Sequence, residues 1–199
     1  MMKKRGFRLI MGSVLLIGLV VLGYALLAPD LSKEESTLAI SGYQTPFMIG
    51  DYAMEDHHGN KTSWASLSER PIYLTAGFTR CPHACPMTMV IYQKLAKKLG
   101  SQADYALLTV DPEHDKAPIL GTYLAAVNPA FIGLRIGDKA ELDLAMADLK
   151  QTIVDTGEPL DLMHSNYIYL LHPKLRGLVI YTKPDVTLMT QDLKILNAI

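Results

Sequence analysis

The spacing of apolar and polar residues divides the chain into segments of distinct character. Residues 9–27 form an uninterrupted apolar and small run, about the length a helix needs to cross a bilayer. Residues 28–46 lack periodicity, begin with Pro29, Asp30, Ser32, Lys33, Glu34 and Glu35, and read as a linker. Regular structure is expected from Phe47. Residues 48–54 and 61–64 flank His57-His58-Gly59-Asn60 and predict a hairpin that turns at Gly59-Asn60. Residues 71–76 and 105–110 are short apolar, β-branched or aromatic runs of buried-strand character. Between them Ile91, Leu95 and Leu99 recur at helical spacing, interleaved with Lys94, Lys97 and Lys98, which predicts an amphipathic helix over 87–99 stopped by Gly100. Further helices are predicted over 117–127, 138–149 with Asp138 as N-cap, and 187–196. Strands are predicted over 131–135, 167–171 and 178–181, the last two joined by a turn at 173–177. This order describes an α/β domain, a mixed central sheet flanked by helices on both faces, with an N-terminal β-hairpin and one N-terminal transmembrane helix. Residues 131–149 read as an insertion between its two halves.

Charge adds a compartment. Lys3, Lys4, Arg5 and Arg8 precede the apolar run; an overall formal charge of −1 less those four positive charges leaves −5 on the rest. An acidic body without a basic stripe excludes nucleic acid as a partner. Basic residues on the N-terminal side alone make 1–8 a cytoplasmic tail and 9–27 an anchor that places residues 47–199 outside the cytoplasm. Gly23-Tyr24-Ala25 offers a small-x-small cleavage site as the rival reading, but the length of the run favours a retained anchor. Residues 47–199 suffice for one domain with a sizeable core.

Cys81 and Cys85 are the two cysteines, too few for a disulfide-stapled scaffold. They stand after a buried strand and at a helix start, where residues four apart share a face and the helix terminus favours thiolates. That suits metal or redox chemistry. Pro86 cannot donate to the carbonyl of Pro82, so the opening turn is loose or the regular helix begins only at Pro86. Six histidines are available to complete a site. His57, His58 and His172 read as solvated turn residues. His114 stands near the same strand edge, and His83 between the cysteines could stabilise a thiolate or point away. For His164, before the strand at 167–171, ligand and ordinary loop residue are equally open. Met87, Met89 and Met163 adjoin these candidates, and thioethers suit Cu(I), but most of ten methionines serve as core filler.

Three motifs in order carry a resemblance: Cys81-Pro82-His83-Ala84-Cys85-Pro86 after Ala76-Gly77-Phe78-Thr79, then Thr109-Val110-Asp111-Pro112-Glu113-His114-Asp115, then His164-Ser165 before Tyr167-Ile168-Tyr169-Leu170. Together they resemble the Sco/SenC family from about Phe47 to the C-terminus, with the single anchor in addition. The resemblance implies a thioredoxin-like fold and copper, as Cu(I) or Cu(II), bound by Cys81, Cys85 and His164. It implies a metallochaperone that supplies copper to, or maintains the thiols of, the dinuclear copper centre of a cytochrome c oxidase. Its partners would be that copper-bearing subunit or other copper chaperones, and its place the inner membrane with the domain on the periplasmic side. The chain departs from the family pattern at Met163, usually Asp, at His114, usually Arg, and at His83, often Asp. Thiolates favour Cu(I) and imidazole accepts either state, so such a set can hold copper through a redox change, and a disulfide would abolish it. The alternative is an extracytoplasmic thiol–disulfide oxidoreductase using Cys81 and Cys85 alone; their three-residue spacing counts against it, His83 and the helix terminus for it. A structural zinc site would want a fourth ligand.

Overall fold

The computed structural model describes residues 39–46, 49–67, 69–82, 84–155 and 162–199. Ile40–Ile199 form one compact unit. Its frame is set by two runs with no exposed residue between them, β4 (Ile72–Gly77) and β5 (Asp104–Thr109), paired in parallel from Ile72↔Asp104 to Gly77↔Thr109. Strands buried on both faces have no solvent side on which to place polar residues, which is why they read as continuous apolar runs. Parallel neighbours require crossovers. Helix α2 (Ala84–Leu99) joins β4 to β5, and α3 (Ala117–Ala125) joins β5 to β6 (Ile132–Ile136), which extends the parallel set. The 131–149 segment is therefore part of the sheet and not an insertion: β6 also pairs with β2 (Met54–Asp56), and α4 (Lys139–Asp148) follows, N-capped by Asp138 through the Glu141 N–H.

The remaining strands are antiparallel. β9 (Ile168–Leu171) pairs with β4 and with β10 (Leu178–Tyr181), which in turn pairs with β1 (Tyr43–Thr45); β3 (Lys61–Thr62) closes the other edge, giving the order β1-β10-β9-β4-β5-β6-β2-β3. β1 lies within the stretch read as linker. The expected hairpin is present but short, and Trp64 opens a helical turn, α1 (Trp64–Leu67), where strand was predicted. A separate pair, β7 (Ile153–Asp155) with β8 (Leu162–His164), has no counterpart in the sequence prediction.

One face of the sheet carries α2, α3 and α5 (Val186–Ala198), with Tyr92 against Phe131 at 5.7 Å and the Gln93 amide donating to the Val127 carbonyl. The other face packs Trp64, Leu142, Ala145 and Met146 over Leu74, Ala106 and Leu134. The buried Asp192 carboxylate on α5 accepts from the Ser41 and Gly42 N–H groups, the Ser41 hydroxyl and the Tyr181 hydroxyl, fixing the start of the domain to its last helix. Among the described residues no helix is long and apolar enough to cross a membrane, and residues 9–27 lie outside them.

Candidate metal centre

The register of three strands brings the candidate donors together. Parallel pairing ends β4 and β5 side by side, so the cysteine loop after Gly77 and the acidic loop after Thr109 leave the same edge. The antiparallel β9 starts opposite Thr75, which delivers the residues before Ile168 to that edge from the other side. Sheet topology, and not sequence proximity, thereby brings His164 to the cysteines. The Sγ atoms of Cys81 and Cys85 and a ring nitrogen of His164 all lie within 4.8 Å of one another, the one such cluster of three or more among the described residues.

Each arm is held by its own hydrogen bonds. Cys81 N–H donates to the Phe78 carbonyl at 3.2 Å, closing a turn before α2. Helix α2 begins at Ala84, two residues before Pro86, because the first turn of a helix leaves its N–H groups unbonded and loses nothing to proline there. Both cysteines thus frame a regular helix start, and the Cys85 N–H donates to Cys81 Sγ at 3.4 Å. On the other arm, the Thr75 hydroxyl donates to the Tyr167 carbonyl at 3.0 Å and the Thr88 hydroxyl to the Asn166 side-chain oxygen at 2.5 Å. Phe78 meets the His164 ring edge-on at 6.0 Å.

The protonation pattern follows from these partners. His164 Nδ1 faces the Ser165 carbonyl at 3.2 Å, and a carbonyl only accepts, so Nδ1 carries the proton. Nε2 is left with its lone pair towards Cys85 Sγ, 3.6 Å away. Burial lowers the imidazole pKa, against the Ser165 carbonyl that raises it, and so favours the neutral ring. Cys85 is 2 % exposed. Burial is the largest influence on its thiol and pushes it up, against the Phe78 N–H that stabilises the thiolate; neighbouring Cys81 and Asp115 push it further up. The helix start therefore does not make Cys85 a thiolate; a metal that binds there must displace its proton. Both cysteines are unbridged, Cys81 half-buried and Cys85 buried.

The other histidines have structural work or lie apart. His57 Nδ1 accepts the Gly133 N–H at 3.0 Å and packs on Gly121 and Gly133, so it is a docking residue where a solvated one was expected; His58 is exposed, as expected, its ring tilted at 41° to that of His57 with centroids 4.0 Å apart. His172 Nδ1 accepts the Lys174 N–H and its Nε2–H donates to Asn197, also inside the fold and not in solvent. His114 contributes no donor atom to the cluster. Met89 is buried, Met87 is exposed, and His83 and the Met163 side chain lie outside the described residues. Sequence reasoning placed Thr79, Thr109 and Asp115 in its motifs but gave them no role; the buried Asp115 carboxylate accepts from both threonines and ties the cysteine loop to β5. Sequence reasoning missed Tyr123, whose phenol is pushed up to about 12 by burial first, then by Cys85, Cys81 and Asp115.

The fold and the cluster define a class: a mixed-sheet domain that presents two thiols and an imidazole at the carboxyl end of its central strands. The profile of the SCO1/SenC family matches residues 41–194, and the chain belongs to that family. It is 29 % identical over 168 residues to the SCO2 homologue of mouse mitochondria, across 76 % of this chain and 64 % of the mouse protein; it thus spans less than two thirds of that relative. Among solved structures, Arabidopsis thaliana ScoI with copper bound matches at a TM-score of 0.67 and 24 % identity, over 76 % of this chain and all of that one. BsSco, described as having a disulfide switch and as a member of the Sco family of cytochrome c oxidase assembly proteins, matches at 0.65 and 21 % identity, over 79 % of this chain and 98 % of that one. These neighbours share the thioredoxin-like fold.

Proposed function

We propose that this protein binds copper through Cys81, Cys85 and His164 and supplies it to the dinuclear copper centre of a cytochrome c oxidase, or keeps the thiols of that centre reduced. The observation that carries the reading is the convergence of two soft sulfur donors and one imidazole lone pair within 4.8 Å. Two sulfurs and an imidazole suit copper in either oxidation state. Copper bound to a ScoI of the same fold, and the oxidase-assembly role given to BsSco, support the same reading. The half-buried Cys81 is the donor a partner's ligands can reach first, so transfer proceeds by ligand exchange from that side. Residues 9–27 anchor the chain in the inner membrane, and the domain works on the periplasmic side.

A titration tests this. The reduced protein takes up about one Cu(I) or Cu(II) per chain, with a thiolate-to-copper absorption band for Cu(II). Cys81→Ala loses binding, and His164→Ala weakens it strongly and shifts the band. Unchanged affinity and spectrum in His164→Ala would remove the imidazole from the ligand set.

The unequal exposure of the two cysteines favours a second reading, thiol–disulfide exchange. The Cys81 thiolate would attack a partner disulfide and release one partner thiol. Cys85 would then attack Cys81 Sγ, release the second, and leave a Cys81–Cys85 disulfide and a reduced partner. A mixed disulfide with an oxidase subunit trapped by Cys85→Ser, under conditions without copper binding, would favour it.

A further inference from the structure

The clamp between the two loops contains a buried carboxylate that no cation among the described residues pairs with. Asp115 is 0 % exposed. Its carboxylate accepts the Thr79 N–H at 2.9 Å, the Thr79 hydroxyl at 2.5 Å and the Thr109 hydroxyl at 2.7 Å. Three donors converging on one carboxyl group is the pattern of an ionised, acceptor-only side chain. Among the described residues no ion pair includes it: Arg80 pairs with Asp111 at 2.6 Å and Lys116 with Glu113 at 3.7 Å, both at the surface. Burying a charge without a cation beside it costs stability, so stability alone does not account for this one. Its place is what distinguishes it. Thr79 is two residues from Cys81, Thr109 ends β5, and Asp115 acts electrostatically on both Cys85 and Tyr123.

We propose that Asp115 is a positioning residue of the metal centre: it fastens the cysteine loop to β5, and its fixed charge favours cupric over cuprous ion there. The inference rests on the copper reading above. Cu(II) on two thiolates and a neutral imidazole is neutral overall, whereas Cu(I) on the same ligands carries one negative charge. A carboxylate nearby therefore penalises the cuprous form. At an effective dielectric of about 20, a unit charge within about 10 Å changes such an affinity ratio on the order of tenfold or more.

Two measurements on the full chain in detergent test this, with Asp115→Asn removing the charge and keeping the shape, and Thr109→Val removing one hydrogen bond and keeping the charge. The first is copper-free: alkylation of the reduced protein by iodoacetamide, followed at each cysteine by mass spectrometry. Cys85 loses its protection in Asp115→Asn and, to a smaller extent, in Thr109→Val, while circular dichroism shows both folded. The second is competition for Cu(I) and Cu(II). Asp115→Asn lowers the Cu(II):Cu(I) ratio on the order of tenfold, equivalent to a rise of about 59 mV in the copper potential, and Thr109→Val leaves the ratio within about twofold. A purely structural role would weaken both oxidation states alike; an unmoved ratio in Asp115→Asn overturns the charge assignment. Undiminished Cys85 protection in the folded variants overturns the clamp, and that result stands even if the unmodified chain binds no copper, which would refute the copper reading itself. If Asp115→Asn does not fold, Thr109→Val alone decides the clamp by the alkylation measurement, and Asp115→Glu, which keeps the charge but moves it, decides the ratio by whether it stays on the cupric side.

Discussion

At Gly77 the site leaves no room for a side chain. A Cβ there would lie 2.8 Å from Cys85 Sγ and 3.0 Å from Leu107 Cδ1, and Cys85 is buried between α2 and the sheet, so its sulfur cannot swing clear without disturbing its neighbours. Gly77→Ala is expected to cost about 1–3 kcal/mol in urea unfolding, the usual penalty for overpacking, and to weaken metal uptake because the displaced atom is a proposed donor. Wild-type stability together with wild-type uptake would show that the sulfur has slack. The same scale explains what the sequence could reveal about the site. Two cysteines four apart beside a buried strand announce themselves by spacing. Asp115 did not, because it is one of three acidic residues in Asp111-Pro112-Glu113-His114-Asp115, and nothing in that composition marks its carboxylate as the interior one. His57 and His172 misled: turn composition suggested solvent, while each ring accepts a backbone N–H inside the fold.

Those two rings give the elements they hold a dependence on acidity. His57 fastens the β2–β3 hairpin to β6, and His172 joins the turn after β9 to α5. Burial is the largest cause of a lowered pKa at both, and each Nδ1 accepts a backbone N–H, which a proton on that nitrogen would abolish. Below about 6.5, the ordinary histidine value, the unfolded chain takes up protons that the folded chain refuses, so stability is full above that pH and declines as pH falls towards the folded-state values. Urea midpoints are expected to drop between about pH 7 and pH 5. The drop should become shallower in a His57→Gln/His172→Gln double variant. An equally steep drop in that variant would place the acid sensitivity elsewhere. The elements themselves were legible in proportion to their burial and length. β4, β5, β9 and β10 are continuous apolar runs and were found, whereas β1, β7 and β8, three residues each, carry no period long enough to detect.

For the molecule as a whole, the order of strands and helices was readable, but the pairing that makes a site was not. Nothing in the spacing of His164 predicts that β9 runs antiparallel to β4 and so turns its preceding loop towards the cysteines; the resemblance supplied what periodicity could not. The proposed anchor belongs to this scale too. The full chain is expected to remain in the membrane fraction after an alkaline wash, and a version lacking residues 1–27 to be released. Release of the full chain would argue for cleavage after Gly23-Tyr24-Ala25. The register of β9 has a further consequence in time. Cys85 and His164 are 79 residues apart, so a growing chain exposes both thiols long before the imidazole exists, and the imidazole reaches them only when the central sheet has closed. An incompletely folded chain offers two of the proposed donors and a finished one offers three, so on the copper reading tight loading would certify completed folding, and cargo would be withheld from chains unfit to deliver it.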